Sequence, residues 1–276
     1  MSGKLRKTLI YWVILSPLAV LNIFPFAVMF FTAIKPRDEL FAYPPSWLPS
    51  QFEWHNFVDM WQQTGFGQAL ANSLYVSIVS AILAIVLAVP AAYALSRFRA
   101  GGHGAYRQYL LITQMISPMV LVLGLLQLLV LFGGVDSDNS LILIYGAFNF
   151  AFTVMMLQSY FDTIDRNIEE ASWIDGATKF NSLVRIFLPL AVPALVVTAT
   201  VAFINGWNEF VIALTILRSQ GAYTLPLQVY AQVAGRYQIE WHHVMAATFL
   251  ATVPAAIVFS SLQRYLIGGM TAGAVK

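Results

Sequence analysis

The chain has 276 residues, a mean hydropathy of +0.70 and charged side chains at only 10% of positions, which excludes a soluble globular domain. Its formal net charge is +2 and no basic cluster is interleaved with aromatics, which excludes a nucleic-acid partner. Cysteine is absent, so there is neither a disulfide framework nor a thiolate metal site.

Lys4, Arg6 and Lys7 precede an almost wholly apolar run from Leu9 to Ile34. A cleaved leader has an apolar core of about 7–15 residues and a small-residue cleavage site. This run is longer and lacks that site, so it predicts an uncleaved first membrane span. Pro17 and Pro25 are tolerated inside a membrane helix. The hydrophilic stretch Lys35 to Gly67 carries Tyr43-Pro44-Pro45, Trp47, Trp54 and Trp61. It suits a connector at the membrane–water interface or a docking surface for an outside partner. Further spans are expected at Asn72–Leu95, Tyr109–Phe132 with Pro118 inside, Ser140–Phe161, Pro189–Leu214 and Val244–Ile267. Apolar segments of about this length cross a bilayer core. Gly101, Gly102 and Gly104 lack the lysine–serine pair and preceding strand of a phosphate cradle, and read as a turn near Arg97, Arg99 and Arg107. Thr215 to His242 reads as a polar, aromatic loop.

The longest polar run, Arg166 to Lys179, lies between the fourth and fifth spans. Asn167, with Glu170 three residues later, reads as an N-cap and capping-box acid. Gly176 reads as the left-handed residue that ends the helix. The helix between them is about nine residues long, whereas isolated helices need roughly 12–15. Its missing stability is expected from a docked protein partner.

Six spans put both termini on one side. With that side as cytoplasm, eleven basic residues fall inside and four outside, as membrane orientation requires. The short helix is then cytoplasmic. Polar residues within the spans are mostly neutral amides: Asn72, Gln114, Gln127, Asn149, Gln158, Asn205 and Asn208. They suit an uncharged polar solute such as a sugar, or hydrogen bonds between helices. The candidate pathway set is Asn72, Tyr75, Gln114, Asn149, Asn205, Asn208 and Glu209. Only Glu209 is ionisable, and a straight helix from Pro189 puts it ~30 Å along, near the outer interface. A proton-coupled carrier needs a deeper carboxylate, and a membrane-embedded enzyme needs a catalytic cluster; neither is visible. Adjacent histidines in a helix point apart, so His242-His243 beside Glu240 reads as interfacial rather than as a metal site. Glu169 and Glu170 do not face each other and read as a solvated or docked face.

Glu170-Ala171-Ser172, then Gly176, then nine residues to Ile186-Phe187-Leu188-Pro189 resemble the loop signature of bacterial ABC importer permeases. The usual form is Glu-Ala-Ala, three residues, Gly, nine residues, Ile, any residue, Leu, Pro. Ser172 replaces the second alanine, and Asp165 stands where a proline is common. Gly206-Trp207-Asn208-Glu209-Phe210 and the end of the chain, Gln263-Arg264-Tyr265-Leu266 followed by Gly269 to Lys276, resemble the smaller, maltose-type permease of the carbohydrate group. The chain as a whole is similar to the second permease of actinobacterial trehalose importers.

The resemblance implies an all-α membrane protein with six transmembrane helices, cytoplasmic termini and the type I importer permease fold, in a bacterial plasma membrane. It implies a first span and outer loop over 1–65, a transport domain over 66–266 with a coupling helix at 167–178, and a cytoplasmic tail over 267–276. It further implies a second permease subunit, two cytoplasmic ATPase subunits that bind ATP and Mg, and an extracytoplasmic sugar-binding lipoprotein. This chain would then hold no cofactor or metal and have no catalytic residue. Coupling to the ATPase would fall to Glu169, Glu170, Ala171, Ser172, Asp175, Gly176 and Lys179. Thr271, Ala272, Gly273 and Lys276 would make the tail contact. Tyr223, Gln232, Gly235 and Arg236 would meet the binding protein. The implied cycle is alternating access, with ATP biasing two states of the assembly.

Overall fold

The computed structural model describes residues 3–98, 102–234 and 236–272, with side chains between 11 and 263 apart from His103. Arg99 and Gly101 lie outside the described residues. The described chain is all helical: α1 (Gly3–Ala33), α2 (His55–Gln63), α3 (Phe66–Arg97), α4 (His103–Met115), α5 (Pro118–Phe132), α6 (Asp138–Phe161), α7 (Arg166–Ile174), α8 (Lys179–Ser182), α9 (Leu188–Leu190), α10 (Val192–Asn208), α11 (Val211–Ile216), α12 (Leu225–Ala231) and α13 (Trp241–Ala272). Among the described residues four single helices are long and apolar enough to cross a membrane: α1, α3, α6 and α13. Two bent helix pairs bring the number to six if each is one span.

Both bends correct the expectation of continuous spans. The third span breaks between α4 and α5, which meet at 92°. Proline disfavours a helical residue before it, and Ile116 and Ser117 are both extended ahead of Pro118. The fifth breaks at Ala191, where Lys179–Leu190 and Val192–Asn208 meet at 78°. The run leading into that break contains a π-helical turn at Leu183–Phe187. The chain breaks again at Glu209, whose extended backbone ends α10. The loop expected at Thr215–His242 contains the end of α11, a 3-10 turn at Gln220–Ala222 and α12.

The chain forms two units. One holds residues 3–67 and 228–253. Tyr11 to Phe26 of α1 is apolar and exposed throughout, which suits contact with lipid. Phe30 packs on Trp54, Phe57 and Phe249. The other unit holds 68–227 and the chain from 254. Its centre is α6, the most buried of the four single-helix spans, with α4 and α10 packed along it. One core joins Ala88, Tyr93, Leu157, Phe161, Leu183 and Phe187 at the α7 end. Another joins Val76, Leu141, Tyr145, Ile212 and Ile216 at the opposite end of α6. Between them α10 closes on α3 at Gly206, where a Cβ would lie 3.3 Å from Ser77 Cα. Small residues allow this approach in a medium where packing drives helix association.

The start of α7 differs from the expectation. Its N-cap is Asp165, two residues before Asn167, and the Asp165 carboxylate accepts from Asn167 N at 3.0 Å. Asn167 is itself a competent capping residue, so the pattern alone admits either. Asp165→Ala should cost about 1 kcal/mol of local stability. Hydrogen exchange at Asn167 to Glu169 is expected to accelerate; unchanged exchange would place the cap elsewhere. The end matches: Gly176 has φ +83°, its N–H donates to Trp173 O, and Ala177 N donates to Ser172 O. These are the paired bonds of a Schellman ending.

Candidate functional site

The short helix has two faces. Glu169 and Ser172 are buried, three residues apart on the inward face. Glu169 is 3% exposed, accepts from the Tyr93 hydroxyl and pairs with Arg97 Nε at 3.2 Å. The guanidinium also donates to Phe161 O at 3.0 Å and Ile164 O at 2.8 Å, and lies over the Phe187 ring. Of the solvated or docked face expected for Glu169 and Glu170, Glu169 is docked, against α3 of its own chain, and Glu170 is exposed. Removing one partner of such a buried pair costs about 3–5 kcal/mol. Ser172 Oγ hydrogen-bonds Ser182 Oγ at 2.7 Å. Lys179 stacks over Phe98 at 4.5 Å. Glu170, Ala171, Trp173, Ile174, Asp175 and Gly176 form the outward side. Ile174 there is 87% exposed, an apolar residue presented to a partner or to water.

A cavity of about 420 Å³ opens beside α6. It is lined by Gln114 of α4, Tyr145 and Asn149 of α6, Asn205 and Asn208 of α10, and Glu209. Five of the seven expected pathway residues thus meet from three separated stretches. Phe148 and Phe152 supply apolar walls. Asn149 is held by two bonds: its Nδ2 donates to Tyr145 O, and its Oδ1 accepts from Asn205 Nδ2 at 2.9 Å. Glu209 accepts from the Tyr145 hydroxyl at 2.6 Å and from the first amides of α11, Ile212 N at 2.9 Å and Ala213 N at 3.1 Å. Both its oxygens are occupied. Tyr145 lies seven residues, about 10 Å, into α6. Glu209 stands at the end of α10, and its hydrogen bond joins that end to the first third of α6. Sequence reasoning missed Tyr145, whose partner lies 64 residues away.

Asn72 and Tyr75 do not reach the cavity. Asn72 is buried and donates to Gly221 O and Tyr223 O, fastening the segment after α11. Tyr75 is half exposed and outside the lining. Asp136 fastens the same segment by accepting from Arg218 N and Ser219 N, and these bonds hold its carboxyl below the usual carboxylate range. The tie is present at neutral pH and is lost only as pH falls through that lowered value.

Of the loop candidates, Tyr223 packs against the core around Leu141 and Ile212, Gln232 is buried and Arg236 is exposed. Gly235 lies outside the described residues. In the tail, Thr271 and Ala272 end α13, and Gly273 and Lys276 lie outside the described residues. The two histidines, in the first turn of α13, do not point apart: their ring centroids are 4.4 Å from each other. Glu240 Oε2 faces both imidazoles, and Arg37 takes Oε1 at 2.9 Å.

A polytopic helical protein with a polar cavity among its spans and a short, outward-facing helix between two of them is a membrane transport subunit in form. Comparison with known proteins makes this specific. Residues 84–271 match the family described as binding-protein-dependent transport system inner membrane component, and the chain belongs to that family. It is 32% identical over 266 residues to the probable ABC transporter permease YurM of Bacillus subtilis, covering 96% of this chain and 87% of the relative. It is 30% identical over 256 residues to the diacetylchitobiose uptake permease DasC of Streptomyces coelicolor, covering 92% of each. The trehalose transport permease SugB of Mycobacterium tuberculosis is 29% identical over 277 residues, with 99% of both chains covered. In fold, the chain matches a crystal structure of a bacterial ABC transporter involved in alginate import, with TM-score 0.81, 21% identity and coverage of 96% and 98%. As a permease it is a transport subunit and not an enzyme.

Proposed function

We propose that this chain forms half of the translocation pathway of an ATP-driven importer for a neutral di- or oligosaccharide of the trehalose or maltose kind. The observation that carries this reading is the cavity lining, in which neutral amides and aromatic rings converge while the one carboxylate is already satisfied. Such a lining hydrogen-bonds hydroxyl groups and offers no free charge to an ion. The names of DasC and SugB, both disaccharide permeases, agree with it.

The expected assembly holds a second permease, two cytoplasmic ATPase subunits that bind ATP and Mg, and an extracytoplasmic sugar-binding protein. Both termini and α7 are assigned to the cytoplasm, with 66–266 as the transport domain. Glu170, Ala171, Trp173 and Ile174 are the docking side of α7, and Glu169, Ser172 and Lys179 hold it to the bundle. Arg236 is assigned to the binding-protein side, and Thr271 and Ala272 to the tail contact. Reconstitution of the full assembly in proteoliposomes tests this reading. Labelled neutral disaccharide should accumulate only with ATP and binding protein together. Uptake by this chain without nucleotide would overturn it in favour of a secondary carrier.

A further inference from the structure

The last turn of α3 carries three polar side chains on one face, and all three reach other elements. Tyr93 donates its hydroxyl to Glu169 of α7. Ser96 donates to Asp162, the residue capping the end of α6, at 2.6 Å. Arg97 pairs with Glu169 and donates to Phe161 O and Ile164 O. Positions 93, 96 and 97 are related by three and four residues, so they share a helix face. The Arg97 and Glu169 side chains are 4% and 3% exposed. A buried charge pair is poor evidence for stability, because desolvation offsets its attraction; its better-attested use is to specify one arrangement.

That arrangement matters for a nine-residue helix, which is too short to persist alone. Its inward contacts are Glu169 and Ser172, and only Glu169 reaches the long helices by hydrogen bond or ion pair in the interactions described. Beyond the joint, α6 continues unbroken from Phe161 to Asn149 and Tyr145 in the cavity. Asn149 is twelve residues, about 18 Å, from Phe161. A continuous rigid element therefore runs from the joint to the cavity wall, the kind of physical path through which displacement passes.

We propose that Tyr93, Arg97 and Glu169 are positioning residues that weld α7 to α3 and α6, so that movement of α7 reaches the cavity as rigid-body motion of α6. The proposal rests on the ATP-driven permease reading and assigns a role to residues that contact neither sugar nor ATPase. Its measure is the coupling ratio, sugar imported per ATP hydrolysed, in the reconstituted complex. Glu169→Gln keeps shape but leaves Arg97 without a counter-charge. It should lower the ratio about 10-fold while hydrolysis continues. Tyr93→Phe removes one hydroxyl and should lower it about 3-fold. A purely structural role would reduce complex yield and leave the ratio unchanged. If Glu169→Gln does not assemble, Tyr93→Phe alone decides.

The cysteine-free chain also accepts a spin-label pair at Arg166→Cys on α7 and Leu143→Cys on α6. In an otherwise unaltered complex the label distance should be the same with and without trapped nucleotide. In Glu169→Gln it should broaden or shift on trapping. A ratio within twofold of wild type in the assembled variants, or a label distance that already changes in the unaltered complex, overturns the proposal. Absence of ATP-driven uptake in the unaltered complex would instead defeat the permease reading, so the two failures are distinguishable.

Discussion

Gly176→Pro is expected to abolish sugar uptake while the protein still reaches the membrane in normal amount. Gly176 has φ +83°, and proline is locked near −65°. Proline also removes the N–H that donates to Trp173 O at 3.0 Å. The penalty for misplaced proline is ~3 kcal/mol or more, which is over a hundredfold at about 1.4 kcal/mol per tenfold. Nothing lies within 4 Å of an added Cβ at this glycine, so the effect is one of backbone conformation and not of crowding. Gly176→Ala separates the two: a left-handed alanine costs about 1–2 kcal/mol, and uptake should fall roughly tenfold. Glu170→Lys should abolish uptake by a different route, reversing charge on the outward face without touching the helix ending. Uptake assays normalised to the membrane-inserted amount check all three. Uptake within threefold of wild type for Gly176→Pro and Glu170→Lys would remove α7 from the coupling path.

The sequence reveals the spans because each needs only a long apolar run, and it reveals the end of α7 because Gly176 carries its conformation locally. The start of α7 is ambiguous because Asp165 and Asn167 both have the chemistry of a cap. The two bends are harder. Pro118 is visible, but whether a proline merely kinks a membrane helix or parts it by 92° depends on the packing around it. The second bend, at Ala191, has Pro189 and Pro193 on either side of it, and neither alone marks which one parts the helix. The pairs Tyr93–Glu169 and Tyr145–Glu209 are separated by 76 and 64 residues. No local pattern joins them, and only the fold brings them together. Asn72 lies away from the cavity for a related reason: an amide in a span serves a backbone carbonyl as readily as a solute.

Glu209 provides the sharpest test of what the cavity is for. Its two oxygens accept three bonds, from Tyr145 and from the first amides of α11. These bonds hold the break between α10 and α11, where helix amides otherwise lack partners. Glu209→Ala leaves three donors unpaired, at about 1–3 kcal/mol each. Uptake should fall by more than about a hundredfold, and thermal stability of the purified chain should drop with it. Glu209→Gln retains one acceptor oxygen and the side-chain shape. It should lose about tenfold in uptake and remain dependent on ATP and binding protein, because the charge is not needed to move a neutral sugar. A carboxylate that relays protons cannot be replaced by an amide, so in a proton-coupled carrier Gln would be as inactive as Ala. The comparison of Gln with Ala therefore separates a residue that shapes the pathway from one that powers it. Equal loss in both variants, together with uptake that follows a proton gradient in the wild type, would assign the driving force to this chain rather than to an ATPase.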